Sequence, residues 1–430
     1  MSATPARIER FLDVDMPPDQ VAWALACVVV IRTVLETLLE QGHVLSWRHD
    51  FYDTLVGWLH LYLSWWCVFH AMAIALALGL RLPLRRAVRL ALLCVPVIVT
   101  VPLVDCAVTG GGGAVILYAF DFTAFWQSYR DVFNPWAVVR MASPGVRIEI
   151  ALVTFGSFYV GWRGFRCGFW RALVLAVTLY SAVFLFGFLP AIHSRLGLRF
   201  AGANVTAVSS DQAGFFLYLL PFALVAGGLL ALAWRDDRTG TRALVSMAFR
   251  SRTWTYLLLL GAGFFFTLEQ AAVTRGALHL GDLAKLTCAA ISIGLLVVCM
   301  HIDGDLETDG SLVRAMAPER ARAVRNVLLG VSAVFALASE RALVFFWLFL
   351  LAASCVHAMR PYRLRRLYPL GHLLLAAMGT ACFLGGGAVV VSYGCYNVIR
   401  NKPNLLLVFF AALLLAHIDD ASARWRSRRR

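Results

Sequence analysis

The chain has 430 residues, of which 60% are hydrophobic and only 15% charged, against ~25% charged in an ordinary soluble protein. With a mean hydropathy of +0.73, its long apolar runs exclude a soluble globular protein and a disordered chain, and their continuity, without alternation, excludes a membrane β-barrel. The net charge of +14 would suit nucleic acid, but the placement of the basic residues assigns them to the membrane, and no nucleic-acid partner is expected.

Taken in chain order, the apolar stretches predict an all-α polytopic membrane protein of about twelve transmembrane helices. Six candidate spans cover 21–40, 54–80, 87–108, 148–162, 170–192 and 213–234, and six more cover 254–273, 283–300, 324–338, 342–359, 370–391 and 405–416. The fourth, ninth and twelfth are short for ~30 Å of hydrocarbon. Of the 39 basic residues, all but Lys285 and Lys402 are arginine, and 27 fall in the N-terminal arm, the C-terminal tail and alternate connections. That bias predicts twelve spans with both termini cytoplasmic, the positive charge meeting anionic membrane lipid. The basic stretch 235–252 divides the chain into an N-terminal six-helix membrane bundle, 1–240, with no assigned function, and a second membrane domain, 241–430. No cleavable signal peptide is expected, because the first twenty residues are polar and acidic.

Within the first span, Arg32 and Glu36 lie one helical turn apart with Glu40 a turn further on. The spacing predicts a neutralised pair that positions helices, with a substrate-facing role as the other reading. His60 and His70 in the second span stand about 15 Å apart along the axis, too far to share a metal through that helix, and are read as structural. The outer connection 109–147 carries Phe122, Phe125, Trp126, Tyr129, Phe133 and Trp136 at spacings of three and four, the pattern of a helix lying in the headgroup layer. Its glycine run lacks the Lys-Ser/Thr of a phosphate loop. The ten cysteines include no C-x-x-C pair and no zinc spacing. Lys285 at the start of the eighth span is expected to pair with Asp282, and Gly385 to Gly387 to permit close helix approach.

The eighth span ends Cys299-Met300-His301-Ile302-Asp303-Gly304-Asp305-Leu306-Glu307-Thr308-Asp309-Gly310, four acids in seven residues. Asp305 and Asp309, spaced i, i+4 on a continuing helix, could hold one divalent ion, since hard cations prefer carboxylate oxygens. The alternative is a charged helix end offset by Arg314, Arg320, Arg322 and Arg325.

This region resembles the UbiA-type intramembrane prenyltransferases. The family's first motif, N-D-x-x-D-x-x-x-D, is similar to His301-Ile302-x-x-Asp305-x-x-x-Asp309 followed by Arg314. Its basic loop is similar to Tyr362-Arg363-Leu364-Arg365-Arg366, and its second acidic motif to His417-Ile418-Asp419-Asp420. The match covers roughly 252–424, a partial UbiA-like helical bundle equivalent to the family's first six helices of nine. The resemblance implies Mg²⁺-dependent transfer of a prenyl group from an isoprenoid diphosphate to an acceptor at the inner leaflet. Asp305, Asp309 and Asp419 would be the catalytic metal ligands, and Arg314, Tyr362, Arg363, Arg365 and Arg366 would bind the diphosphate. His301 and Ile302 stand where the family has Asn and Asp, and Ala423 and Arg424 where its second motif continues. These departures leave a second reading: a non-catalytic relative that binds an isoprenoid lipid or a membrane protein partner completing the bundle.

Overall fold

The structure, a computed structural model, describes residues 10–14, 16–39, 51–111, 122–134, 136–137, 139, 142–187, 189–195, 210–275, 279–308, 310–358, 367–390 and 402–428. The described residues are helical, without strands, and seven of their helices are long and apolar enough to cross a membrane, as in a polytopic membrane protein. Three shorter apolar helices accompany them. The described residues form two compact units, the first running to Arg238 and the second beginning at Thr239.

In the first unit the helices are α1 (Pro18–Leu39), α2 (Phe51–Gly79), α3 (Leu84–Cys94), α4 (Val97–Val108), α5 (Phe122–Asp131), α6 (Pro144–Tyr159), α7 (Phe169–Gly187), α8 (Leu189–Arg195), α9 (Ser210–Leu217) and α10 (Leu219–Asp236). Proline, which lacks the N–H for the helical ladder, explains the interruption at Val95-Pro96 inside the apolar stretch shared by α3 and α4. One core gathers Leu25 and Val29 of α1, Phe69, Ala73 and Leu76 of α2, Leu90 of α3 and Leu175 and Leu179 of α7. A smaller core joins Phe125 of α5 to Ile150 of α6 and Tyr180 and Phe184 of α7.

The ion pair expected in α1 forms: Arg32 Nε donates to Glu36 Oε1 at 2.6 Å, both side chains buried. The sequence did not disclose its other neighbours, Glu149 of α6 at 3.5 Å and the ring of Trp65, 4.4 Å from the guanidinium carbon. Glu40 lies outside the described residues. Both span histidines pack among rings, His70 with Nδ1 2.8 Å from the Trp66 carbonyl and His60 against Tyr218 and Gly214. A carboxylate that the sequence reading passed over, Asp105 at the end of α4, is fully buried and accepts from Ser143 Oγ at 2.5 Å and Gly145 N at 2.7 Å. It thereby satisfies donors at the first turn of α6 that the helix itself cannot.

The second unit contains α11 (Arg238–Ala248, all but its first residue), α12 (Ser251–Arg275), α13 (Leu280–Thr308), α14 (Ser311–Ala315), α15 (Pro318–Ser339), α16 (Arg341–Ala358), α17 (Leu370–Val390) and α18 (Lys402–Arg428). α12 and α17 approach to backbone contact. A Cβ on Gly263 would overlap the Phe383 carbonyl, and one on Gly386 the Leu260 carbonyl, so the expected close approach at the glycine run is met by a glycine on the facing helix.

The partner of Lys285 requires a correction. Its Nζ binds Glu340 Oε2 at 2.8 Å, not Asp282, whose carboxylate instead accepts from the nearby His279 N at 3.3 Å. The reason is tertiary: Glu340 ends α15 directly against the start of α13. From that point a polar seam descends between the two helices. Ser339 donates to the Lys285 carbonyl, Ser292 and Ser332 each donate to the other's carbonyl at 2.8 Å, and the Cys299 thiol donates to the Arg325 carbonyl. These levels recur every seven residues on both helices, the period of an antiparallel left-handed crossing. Trp347 of α16 caps the middle level through Nε1 to Ser332 Oγ at 2.7 Å.

Candidate functional site

The acidic end of α13 is the site the sequence singles out, and of its expected dyad Asp305 alone lies among the described residues. α13 stops at Thr308 and α14 begins at Ser311, so Asp305 sits on the last turn of one helix facing the first turn of the next. Its Oδ2 accepts from Leu312 N at 3.1 Å and Ser311 Oγ at 3.2 Å, while Oδ1 accepts from Arg250 Nη2 at 3.0 Å. A single carboxylate thus caps α14 and holds the residue that precedes α12. Gly310 makes this possible: a Cβ there would overlap the Asp305 carboxyl carbon. Asp309, the other half of the expected i, i+4 pair, lies outside the described residues.

Asp303, two residues earlier, faces the other way. Its Oδ2 accepts from both Nε and Nη2 of Arg325 on α15, at 3.3 and 3.2 Å, extending the α13–α15 seam to the helix end. His301 is buried between these two systems, 9% exposed, in the field of Arg250, Arg252 and Asp305. Its Nε2 is buried and has no hydrogen-bond partner among the described residues. Such an atom costs free energy unless something unseen meets it.

Arg314 stands exposed on α14. Tyr362, Arg363, Arg365 and Arg366 lie outside the described residues, and Asp419 is on α18 with its side chain outside them. Two residues before it, the His417 ring stacks on His372 of α17 with centroids 4.4 Å apart and planes inclined by 12°, and Tyr368 packs edge-on to both. The structure therefore brings the end of α18 to the start of α17, but joins no two of the predicted site residues by a described contact. Arg250 and Ser311, which hold Asp305, were not predicted. The signal was an acid beside a glycine and a serine, the ordinary pattern of a helix cap.

Magnesium requires carboxylate oxygens free to face it. Asp305 carries three donors and Asp303 accepts from the Arg325 guanidinium, and among the described residues no three of His, Cys, Asp or Glu converge on a point. These two carboxylates are engaged in helix capping and ion pairing; Asp309 and the Asp419 side chain, the other two expected ligands, lie outside the described residues. No protein-family model, curated protein or solved structure matches the chain.

Proposed function

We propose that this is a membrane protein of about twelve spans with both termini cytoplasmic, whose second unit is a UbiA-like bundle that binds an isoprenoid lipid or its diphosphate without metal-dependent turnover. The observation that carries this reading is the engagement of Asp305 by Arg250, Ser311 and Leu312. A carboxylate committed to capping has little left to offer a cation, whereas the exposed Arg314 is a group an anionic headgroup would meet. The order of the acidic, basic and second acidic segments along the sequence supports a shared ancestry with prenyl-diphosphate chemistry, and the departures at His301, Ile302, Ala423 and Arg424 support loss of the transfer step.

The test is binding of farnesyl diphosphate to the purified full chain in Mg²⁺ and in a chelator. Binding of equal strength in both, weakened roughly tenfold by Arg314→Gln, is expected from the loss of one charge-assisted hydrogen bond. Binding that needs Mg²⁺ and disappears in Asp305→Asn would overturn the reading in favour of a metal-diphosphate site that includes Asp305. Absence of binding would also overturn it and leave a membrane protein partner as the ligand of this face.

A further inference from the structure

The first unit contains a cavity of about 1010 Å³ between α5, α6 and α7, at the large end of the range of pockets that hold small ligands. Its wall is aromatic, with Phe122, Trp126, Tyr129, Phe133 and Tyr180 contributing rings. The polar ends of the two tyrosines are spoken for: Tyr129 Oη is 3.0 Å from Ser181 Oγ, and the Tyr180 hydroxyl donates to the Tyr129 carbonyl. The wall therefore faces the cavity as hydrocarbon. α5 is held in place over it by Phe125, which is buried against Phe184, and by Arg147, which donates to the Asn134 and Ala137 carbonyls just beyond the helix.

The charge at the edge is out of place in a surface that only packs. Arg130 lines the cavity, and Arg195 lies 5.4 Å over the ring of Phe122, one of its wall residues. Asp131, held ionised below the usual carboxylate range by its hydrogen bonds from Arg130, offsets one of them and leaves the rim net positive. Trp126, 60% exposed, marks this edge as the level where an aromatic ring meets both hydrocarbon and water.

We infer that this cavity is a binding site for an anionic glycerolipid, with an acyl tail along the aromatic wall and the acidic headgroup at Arg130 and Arg195. A free phosphate would use only the arginines, and an uncharged hydrocarbon only the wall. One amphiphile accounts for the wall and the charged edge together. The site belongs wholly to the first unit and is independent of the reading given for the second.

The experiment is native mass spectrometry of the detergent-stripped full chain incubated with phosphatidylglycerol or phosphatidylcholine. One phosphatidylglycerol per chain is expected, retained on the order of fivefold better than phosphatidylcholine, the worth of about one uncompensated arginine near a lipid headgroup. Arg195→Gln should remove that preference while leaving some retention of both lipids. Val177→Trp, at a half-exposed position in the cavity, should abolish retention. Arg195→Gln changes an exposed side chain without loss of fold, so it carries the test alone if Val177→Trp misfolds. Equal retention of the two lipids by the unaltered chain, an undiminished preference in Arg195→Gln, retention undiminished in a folded Val177→Trp, or retention of phosphate without lipid would each overturn the assignment.

Discussion

Two buried aspartates, Asp105 in the first unit and Asp305 in the second, solve the same problem with different surroundings. Each lies near the end of an apolar helix and accepts hydrogen bonds from the first turn of a later helix, α6 for Asp105 and α14 for Asp305, and each faces a glycine at that turn. Asp105 is wholly buried and its described donors are neutral, a serine hydroxyl and a backbone amide. Asp305 adds a cation, Arg250, whose side chain is 34% exposed, and stands beside a histidine nitrogen without a described partner. The first is a closed structural cap. The second is a cap opened toward solvent on one side, where a ligand has charge to meet. An acidic cluster therefore gains functional meaning from what its neighbours leave unsatisfied, not from the number of its carboxylates.

The sharpest way to break this comparison is to remove the two carboxylates. Asp105→Ala leaves a buried hydroxyl and amide with no acceptor and should cost about 3 kcal/mol. Asp305→Ala should cost about 2 kcal/mol, because the guanidinium it releases can rehydrate. Thermal unfolding of the full chain in detergent ranks them, and the opposite order would remove the distinction between closed and open caps. Next in size are the glycines. In Gly145→Ala the new methyl meets the Val101 carbonyl oxygen at 2.5 Å, a backbone atom that cannot step aside, at a cost of about 2 kcal/mol. In Gly310→Ala it meets the Asp305 carboxyl carbon, and that side chain can turn away only by giving up Arg250, Ser311 and Leu312, at a cost of about 2 kcal/mol. The smallest effect is expected for Arg250→Gln, less than about 1 kcal/mol, and it should vanish at high salt. Salt should leave the Asp105→Ala deficit unchanged. A large, salt-insensitive loss on replacing Arg250 would place it in a closed network like that of Asp105.

What the sequence made legible follows the reach of its local rules. Arg32 and Glu36 were readable as a pair because four residues is a property of the helix itself, whereas Glu149 reached Arg32 only through packing. Lys285 was assigned the acid nearest in sequence and took Glu340, brought across by the α13–α15 hairpin. The aromatic helix was visible from its spacing, and α5 occupies the helical core of that segment, but nothing in the spacing foretold that Thr154 and Val177 would complete a cavity beneath it. At the acidic cluster, the spacing of Asp305 was legible, and its capping of α14 was not. Asp105 was missed although an acid at the end of an apolar run must find donors, and Ser143-Pro144-Gly145 is a helix start with donors to spare.

The seven-residue polar seam between α13 and α15 also bears on how the second unit meets a bilayer of changing thickness. A slip of one helix along the other by a single turn would separate Lys285 from Glu340, Ser292 from Ser332 and Arg325 from Asp303 at once, each left facing hydrocarbon-packed surface. There is accordingly no low-cost intermediate position between the present register and one displaced by a full heptad. A thinner membrane must be met by the pair tilting as one rigid beam, or by lipid adjusting around it. The pair then acts as a fixed yardstick, and the depth of the His301 end is set by the length of the beam.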